Sequence, residues 1–135
     1  MERTYSTPLI DKLGVRPGGR VAIVGPVDPD GSFRELLEER TNDVTDGEPL
    51  PDTDLVFLAA DSVPELSSLP DLRSRIRPNG AIWVISKKGR GATLRYAELL
   101  DTAQASGLVD NKVASFSDTH TALRFVIPVA LRPRF

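Results

Sequence analysis

The loop Lys87-Lys88-Gly89-Arg90-Gly91 gathers three cations around glycines that let backbone come close to a bound group, so it is the clearest place in the sequence for an anion. The stretch Pro26-Val27-Asp28-Pro29-Asp30-Gly31 has the opposite character. Asp28 and Asp30 stand before a helix start, where their carboxylates themselves satisfy the positive end of the helix dipole and repel a phosphate seeking the same amides. Asp28-x-Asp30-Gly31 also invites a calcium reading. With Gly31 as the sixth loop position, however, the first is Pro26 and the twelfth Leu37, and neither supplies a side-chain oxygen. The chain has no cysteine and one histidine, His120. Disulfides, thiolate metal sites and a cysteine nucleophile are therefore excluded, and no histidine pair or nucleophile–histidine arrangement is visible. Read singly, the basic loop is a solvated, glycine-flexible connection and His120 an exposed polar residue in a turn.

These residues must be positioned by the apolar runs between them. Val21-Ala22-Ile23-Val24-Gly25, Leu55-Val56-Phe57-Leu58-Ala59-Ala60 and Ala81-Ile82-Trp83-Val84-Ile85 are continuous, as buried parallel strands are, and are expected to lie side by side, with Trp83 in the core. Helices are expected around them. Thr7 and Pro8 offer a cap and a first-turn proline for a short opening helix that ends near Gly14. Ser32 with Glu35, and Ser62 with Glu65, have capping-box spacing. The helix at Ser32 should run over 33–39 with Leu36 and Leu37 as apolar positions, and the one at Ser62 should break at Pro70 before a second piece over 71–76. Pro78-Asn79-Gly80 reads as a turn. Residues 93–106 form the best-defined helix, with Tyr96, Leu99, Leu100 and Ala103 at helical spacing and Gly107 as its left-handed cap. Residues 41–53 show only a weak strand around Val44. Apolar positions in 113–129 change to the alternating period of an antiparallel hairpin, linked through 117–120.

At 135 residues, 40% hydrophobic and 27% charged, the composition is that of one globular domain over 1–135. The net charge of −2 conceals six basic and fourteen acidic side chains in residues 1–70 against eleven and five in 71–135. If the halves interleave in one sheet these charges neutralise over the surface, and nucleic-acid binding is not expected. No secretory pattern opens the sequence and no apolar stretch is long enough to span a bilayer, so no membrane partner and a cytoplasmic location are expected.

Strand–helix units closed by an antiparallel hairpin resemble class I S-adenosylmethionine-dependent methyltransferases. Arg77-Pro78-Asn79-Gly80-Ala81-Ile82-Trp83-Val84 looks like the "L-K-P-G-G-x-L-V" entry to a late strand of that superfamily, and Asp52-x-Asp54-Leu55-Val56 like the acidic entry to its middle strand. Over nearly the whole chain, Pro8-Leu9-x-x-Lys12-Leu13-Gly14-Val15-x-Pro17-Gly18-x-Arg20-Val21-Ala22, the Pro-x-Gly-Ala-x-Trp-Val segment and Ala122-Leu123-Arg124-Phe125 resemble a small bacterial family of unknown function. The resemblance implies a shortened Rossmann-like, methyltransferase-type three-layer α/β fold, with a mainly parallel sheet and a C-terminal antiparallel hairpin. The superfamily's cofactor motif follows less well. Ile23 stands at its acidic position, Gly25 matches its first glycine, and Val27 and Pro29 replace the other two; Asp43 or Asp46 could stand for the acid that holds the ribose.

In an open α/β sheet, ligands bind beyond the carboxyl ends of the strands, here the loops 25–32, 59–62 and 86–91. The ligand-binding candidates are thus Gly25, Asp28, Asp30, Asp61, Lys87, Lys88 and Arg90. No catalytic residue and no metal ligand is singled out. Because side chains at 27 and 29 would fill cofactor space, no cofactor is expected and S-adenosylmethionine is disfavoured. The favoured reading is a non-catalytic binding or interaction protein, with self-association into a homodimer as one mode. The alternatives are a small methyltransferase with a remodelled first loop, and an anion or nucleotide sensor using residues 87–90.

Overall fold

A computed structural model of the chain describes residues 8–27 and 31–132. The elements are α1 (Leu9–Lys12), β1 (Val21–Val24), α2 (Ser32–Glu38), β2 (Val44–Asp46), β3 (Thr53–Ala59), α3 (Leu69–Arg75), β4 (Ile76–Lys87), α4 (Tyr96–Ala105), β5 (Val109–Ser115) and β6 (His120–Val126). They form one six-stranded sheet in the order β2-β1-β3-β4-β6-β5. The first four strands are parallel, and β6 enters antiparallel between β4 and β5.

Two apolar layers explain the continuous runs. Along β3, Leu55 and Phe57 face one core while Val56 and Leu58 face the other; along β4, Ala81, Trp83 and Ile85 alternate in the same way with Ile82 and Val84. A strand covered on both faces has no polar side, which is why alternation is absent from its sequence. On one face α1 and α2 contribute Ile10, Phe33 and Leu37, and on the other α3 and α4 contribute Leu69, Leu72, Leu99 and Ala103. Phe33 meets Phe57 and Phe116 edge-on, with ring centroids 5.0 Å apart in each pair, so α2 is pinned to both β3 and the hairpin. Trp83 is fully buried, and its indole Nε1 donates to the Leu13 carbonyl at 3.0 Å. Lys112 Nζ donates to the Lys12 carbonyl at 2.9 Å. Two carbonyls that the short α1 leaves unpaired at its end are thereby satisfied.

The three expected central strands are adjacent and parallel, with the hairpin on their flank. Several local expectations are corrected. Ser32 is the first residue of α2, and Gly31, at φ 81°, occupies the cap, because a left-handed residue reverses the chain there. Leu36 is one of the larger exposed apolar side chains, since α2 turns Phe33 and Leu37 inward. The Ser62 start yields only a 3-10 turn, Pro64–Leu66, in which Glu65 accepts from the Asp61 amide. Pro70 opens α3 and does not break it, its missing amide costing nothing in a first turn. Pro78-Asn79-Gly80 is no turn but part of β4, carried in an irregularity where the register passes from Thr53↔Ile76 to Leu55↔Ala81. A Cβ on Gly80 would stand 2.8 Å from the Asp54 carbonyl oxygen, so the packing requires glycine. Tyr96 begins α4 and is 60% exposed, leaving Leu99 and Ala103 as the buried positions. Gly107 ends that helix at φ 82° as expected. Thr7 lies outside the described residues.

Candidate functional site

Chain direction decides which residues meet. The carboxyl ends of the parallel strands form one rim, along which lie Asp46 (β2), Gly25 (after β1), Asp61 (after β3) and Lys87 (β4). Because β6 runs the other way, its first residue also reaches this rim, and His120 pairs across from Lys87. The order of the strands reverses at β1, since β2 lies on one side of it and β3 on the other; the crevice beside Gly25 is therefore the switch point of the sheet.

Gly25 has φ 80°, and a Cβ built on it would lie 3.6 Å from both the Cβ and the carbonyl oxygen of Ala59. The ends of β1 and β3 thus approach closely, with glycine keeping the backbone uncovered. Val27 follows with its amide donating to the Gly25 carbonyl at 2.8 Å, and its side chain is buried in the core shared with Phe33 and Phe57. The side chain at 27 therefore points away from the rim. A cavity of about 200 Å³ opens beside Gly25, lined also by Ile23, Pro26, Gly31, Arg34 and Asp46. Asp46 Oδ2 accepts from Arg34, whose guanidinium is also bonded to Glu38 at 3.1 Å; bonding to Glu38 first, then attraction to Asp46, raises the arginine pKa above its ordinary value. Asp43, the other acid considered for the ribose, lies at the opposite end of the sheet, bonded to Arg20 at 2.9 Å.

The other sequence candidates among the described residues fall on the same rim. Asp61 Oδ1 accepts from the Lys87 amide at 2.8 Å, and its carbonyl accepts from Thr93 Oγ1 at 2.6 Å. Lys88 Nζ donates to Ser115 Oγ at 2.9 Å and its amide to the Thr119 carbonyl at 3.0 Å. The basic loop, expected as a flexible connection, is thus tied at its start to both neighbours and continues as a 3-10 turn, Gly89–Gly91, with Arg90 exposed. The structure joins Asp61 to Lys87 and places Gly25 one strand from Asp61 and two from Lys87; Asp28 and Asp30 lie outside the described residues. His120, expected to be exposed, is half-buried, its Nδ1 2.8 Å from Thr119 Oγ1, because it opens β6 rather than lying in the turn.

A second, larger cavity of about 390 Å³ lies at the end of β4, between the start of α4 and the hairpin. Its wall includes Leu94, Leu99, Val113 and Leu123, and Lys87 and Arg95 stand at its edge. Sequence reasoning found its lysines, Lys87 and Lys88, but not its walls, which come from α4, β5, β6 and the loop before α4. No three metal-ligating side chains cluster among the described residues, and no helix there is long and apolar enough to cross a membrane.

No family model and no curated protein matches the chain. Solved structures do. The O-methyltransferase NcsB1 from neocarzinostatin biosynthesis, in complex with S-adenosylmethionine and 2-hydroxy-5-methyl naphthoic acid, is similar with a TM-score of 0.62 at 17% identity, over 81% of this chain and 49% of that one. The mitomycin 7-O-methyltransferase MmcR gives 0.61 at 11%, over 82% and 49%. LepI in complex with S-adenosylmethionine gives 0.62 at 12%, over 94% and 49%. The chain spans about half the length of the structures it matches. At these identities the likeness is one of fold, and the methyltransferase-like α/β fold is what it establishes.

The expectation of no cofactor is corrected by these findings. Chains of this fold are solved with S-adenosylmethionine and, for NcsB1, also with S-adenosyl-L-homocysteine. The steric argument against it fails at Val27, whose side chain is spent in the core. Pro29 lies outside the described residues. At the level of fold, these likenesses fit the methyltransferase alternative.

Proposed function

We propose that this chain forms a binding domain for S-adenosylmethionine and S-adenosylhomocysteine, in an enzyme of the small-molecule methyltransferase type. The observation that carries the reading is the switch-point crevice: an uncovered Gly25 against Ala59, with Val27 turned inward and Asp46 closing the neighbouring strand. Gly25 would let the cofactor approach the backbone. Asp46 is the acid at the carboxyl end of β2, and Arg34 engages only one of its oxygens among the described residues, leaving the other to accept from a ribose hydroxyl. When bound, the cofactor supplies a methyl group made electrophilic by its sulfonium. The likeness in fold to two O-methyltransferases supports an oxygen acceptor.

Calorimetric titration with S-adenosylhomocysteine tests the reading. The expected dissociation constant is micromolar, about 8 kcal/mol of binding free energy. Gly25→Ala should weaken it at least tenfold. Gly14→Ala is the control, because Gly14 shares the positive φ, 75°, with nothing within 4 Å of its added Cβ; both variants carry a backbone strain of about 1–2 kcal/mol, and only one covers the crevice. Absence of binding at millimolar ligand, or equal loss in the two variants, would overturn the proposal.

A further inference from the structure

We infer that the larger cavity, between α4 and the β5–β6 hairpin, is a binding site for a small molecule with a flat apolar body and one negative charge. Its volume, about 390 Å³, falls within the range of small-molecule pockets and is too small for a folded partner. Leu94, Leu99 and Leu123 are buried core residues whose outer surfaces form its floor. Tyr96 and Val113, by contrast, are 60% and 65% exposed, although both are large and face the cavity. An aromatic ring and a branched aliphatic side chain held open on either side of an apolar floor lose water contact only when something enters between them.

The charge at the edge selects what enters. Lys87, Lys88 and Arg95 all contribute to the lining. Lys88 is satisfied by the neutral hydroxyl of Ser115, and Arg95 is within 3.5 Å of Glu98 while its side chain remains 81% exposed. Lys87 makes no ion pair among the described residues, since Asp61 takes its amide and not its ammonium. The opposing acids are already engaged: Glu98 accepts from the Arg95 amide at 3.1 Å, and Asp61 from that of Lys87. An uncharged apolar ligand would leave the Lys87 ammonium beside a dehydrated surface. A carboxylate on that ligand would pair with it.

As a methyl-acceptor site the cavity rests on the cofactor reading, because it opens on the same rim; as a binding site it is tested without it. Biphenyl-4-carboxylate and the uncharged biphenyl-4-carboxamide are titrated by calorimetry into the full chain, with and without S-adenosylhomocysteine, and acetate serves as the bare anion. The carboxylate should bind with a dissociation constant of roughly 10–100 µM. The amide should bind about tenfold more weakly, or about 1.4 kcal/mol, and acetate not measurably. Lys87→Ala should remove the preference for the carboxylate while leaving amide binding in place, and Val113→Trp, at an exposed strand position, should block both. High salt should shrink the preference. Equal affinities for carboxylate and amide, an unchanged preference in Lys87→Ala, or no binding of either probe at millimolar concentration would overturn the inference. So would a dimer in sedimentation that Tyr96→Glu dissociates without altering probe affinity, which would give the cavity to a second copy of the chain. Loss of S-adenosylhomocysteine binding alone leaves these probe results fully readable.

Discussion

Replacing Trp83 by phenylalanine tests the tie between β4 and α1 more sharply than any other single change. The indole is fully buried, and its N–H is the partner of the Leu13 carbonyl, seventy residues away, at 3.0 Å. Phenylalanine removes that donor while leaving the acceptor inside, where Leu13 is itself fully buried; an unpaired buried carbonyl costs about 1–3 kcal/mol. The space that the second ring occupied, roughly 40 Å³, adds about 1 kcal/mol at about 24 cal/mol per Å³ if the core does not collapse into it. Together the variant should lose about 2–4 kcal/mol, a large fraction of the roughly 5–15 kcal/mol that holds a domain of this kind folded. Urea denaturation followed by far-ultraviolet circular dichroism measures it, since the substitution removes the only tryptophan and with it the natural fluorescent probe. An unfolding free energy within about 0.5 kcal/mol of the parent's, at equal slope, would refute the reasoning, because it would mean that the Leu13 carbonyl finds water or another donor and that α1 is not held through β4.

Gly80→Ala should cost about 1–3 kcal/mol in the same assay, because the new methyl would sit 2.8 Å from one backbone oxygen and 3.1 Å from another, neither able to rotate away; an unchanged midpoint would count against the close approach of β3 and β4. Glu98 accepts from the Arg95 amide, and that bond, more than the neighbouring guanidinium, holds its carboxyl below the ordinary glutamate range. A depressed folded-state pKa adds stability that is complete above the unfolded value and is lost as pH falls through the folded one. The melting temperature of Glu98→Gln should therefore lie below that of the parent at about pH 7 and converge with it towards about pH 3, whereas a constant gap would show that the charge plays no part.

The sequence made β1, β3 and the second half of β4 legible because both faces of each are covered, so apolar residues run without interruption. The helix ending at Gly107 was legible for a similar reason: α4 has one covered face and a glycine with the required backbone angle at its end. Edges were harder. β2 is three residues long with no buried side chain, and most of β5 is exposed, so Val109 to Lys112 carry no pattern that sets them apart from a loop. Pro78 and Gly80 misled because the features that mark turns, a missing amide and a missing Cβ, also suit a strand irregularity pressed against its neighbour. At the rim, the loops were identified correctly from chain direction alone, yet the cofactor argument went wrong at Val27. A motif comparison counts side chains without knowing where they point, and this one points into the core.

The two ends of the sheet are held in different ways. At the amino end Arg20 bonds Asp43, Arg77 pairs with Asp54 at 2.9 Å, Arg40 reaches Asp11, and Arg75 joins Glu48 and the Pro49 carbonyl, so that the connections there are fastened together by long side chains. At the opposite rim the connections after β3 and β4 and the end of the hairpin touch one another through backbone amides, short polar side chains and the Lys88 ammonium. If the rim binds as proposed, substitutions that retune recognition can accumulate at one end while the fasteners at the other stay unchanged, and the domain is then a permissive platform for divergence: loop changes can alter ligand preference while the shared apolar layers, and the register of the strands, stay as they are.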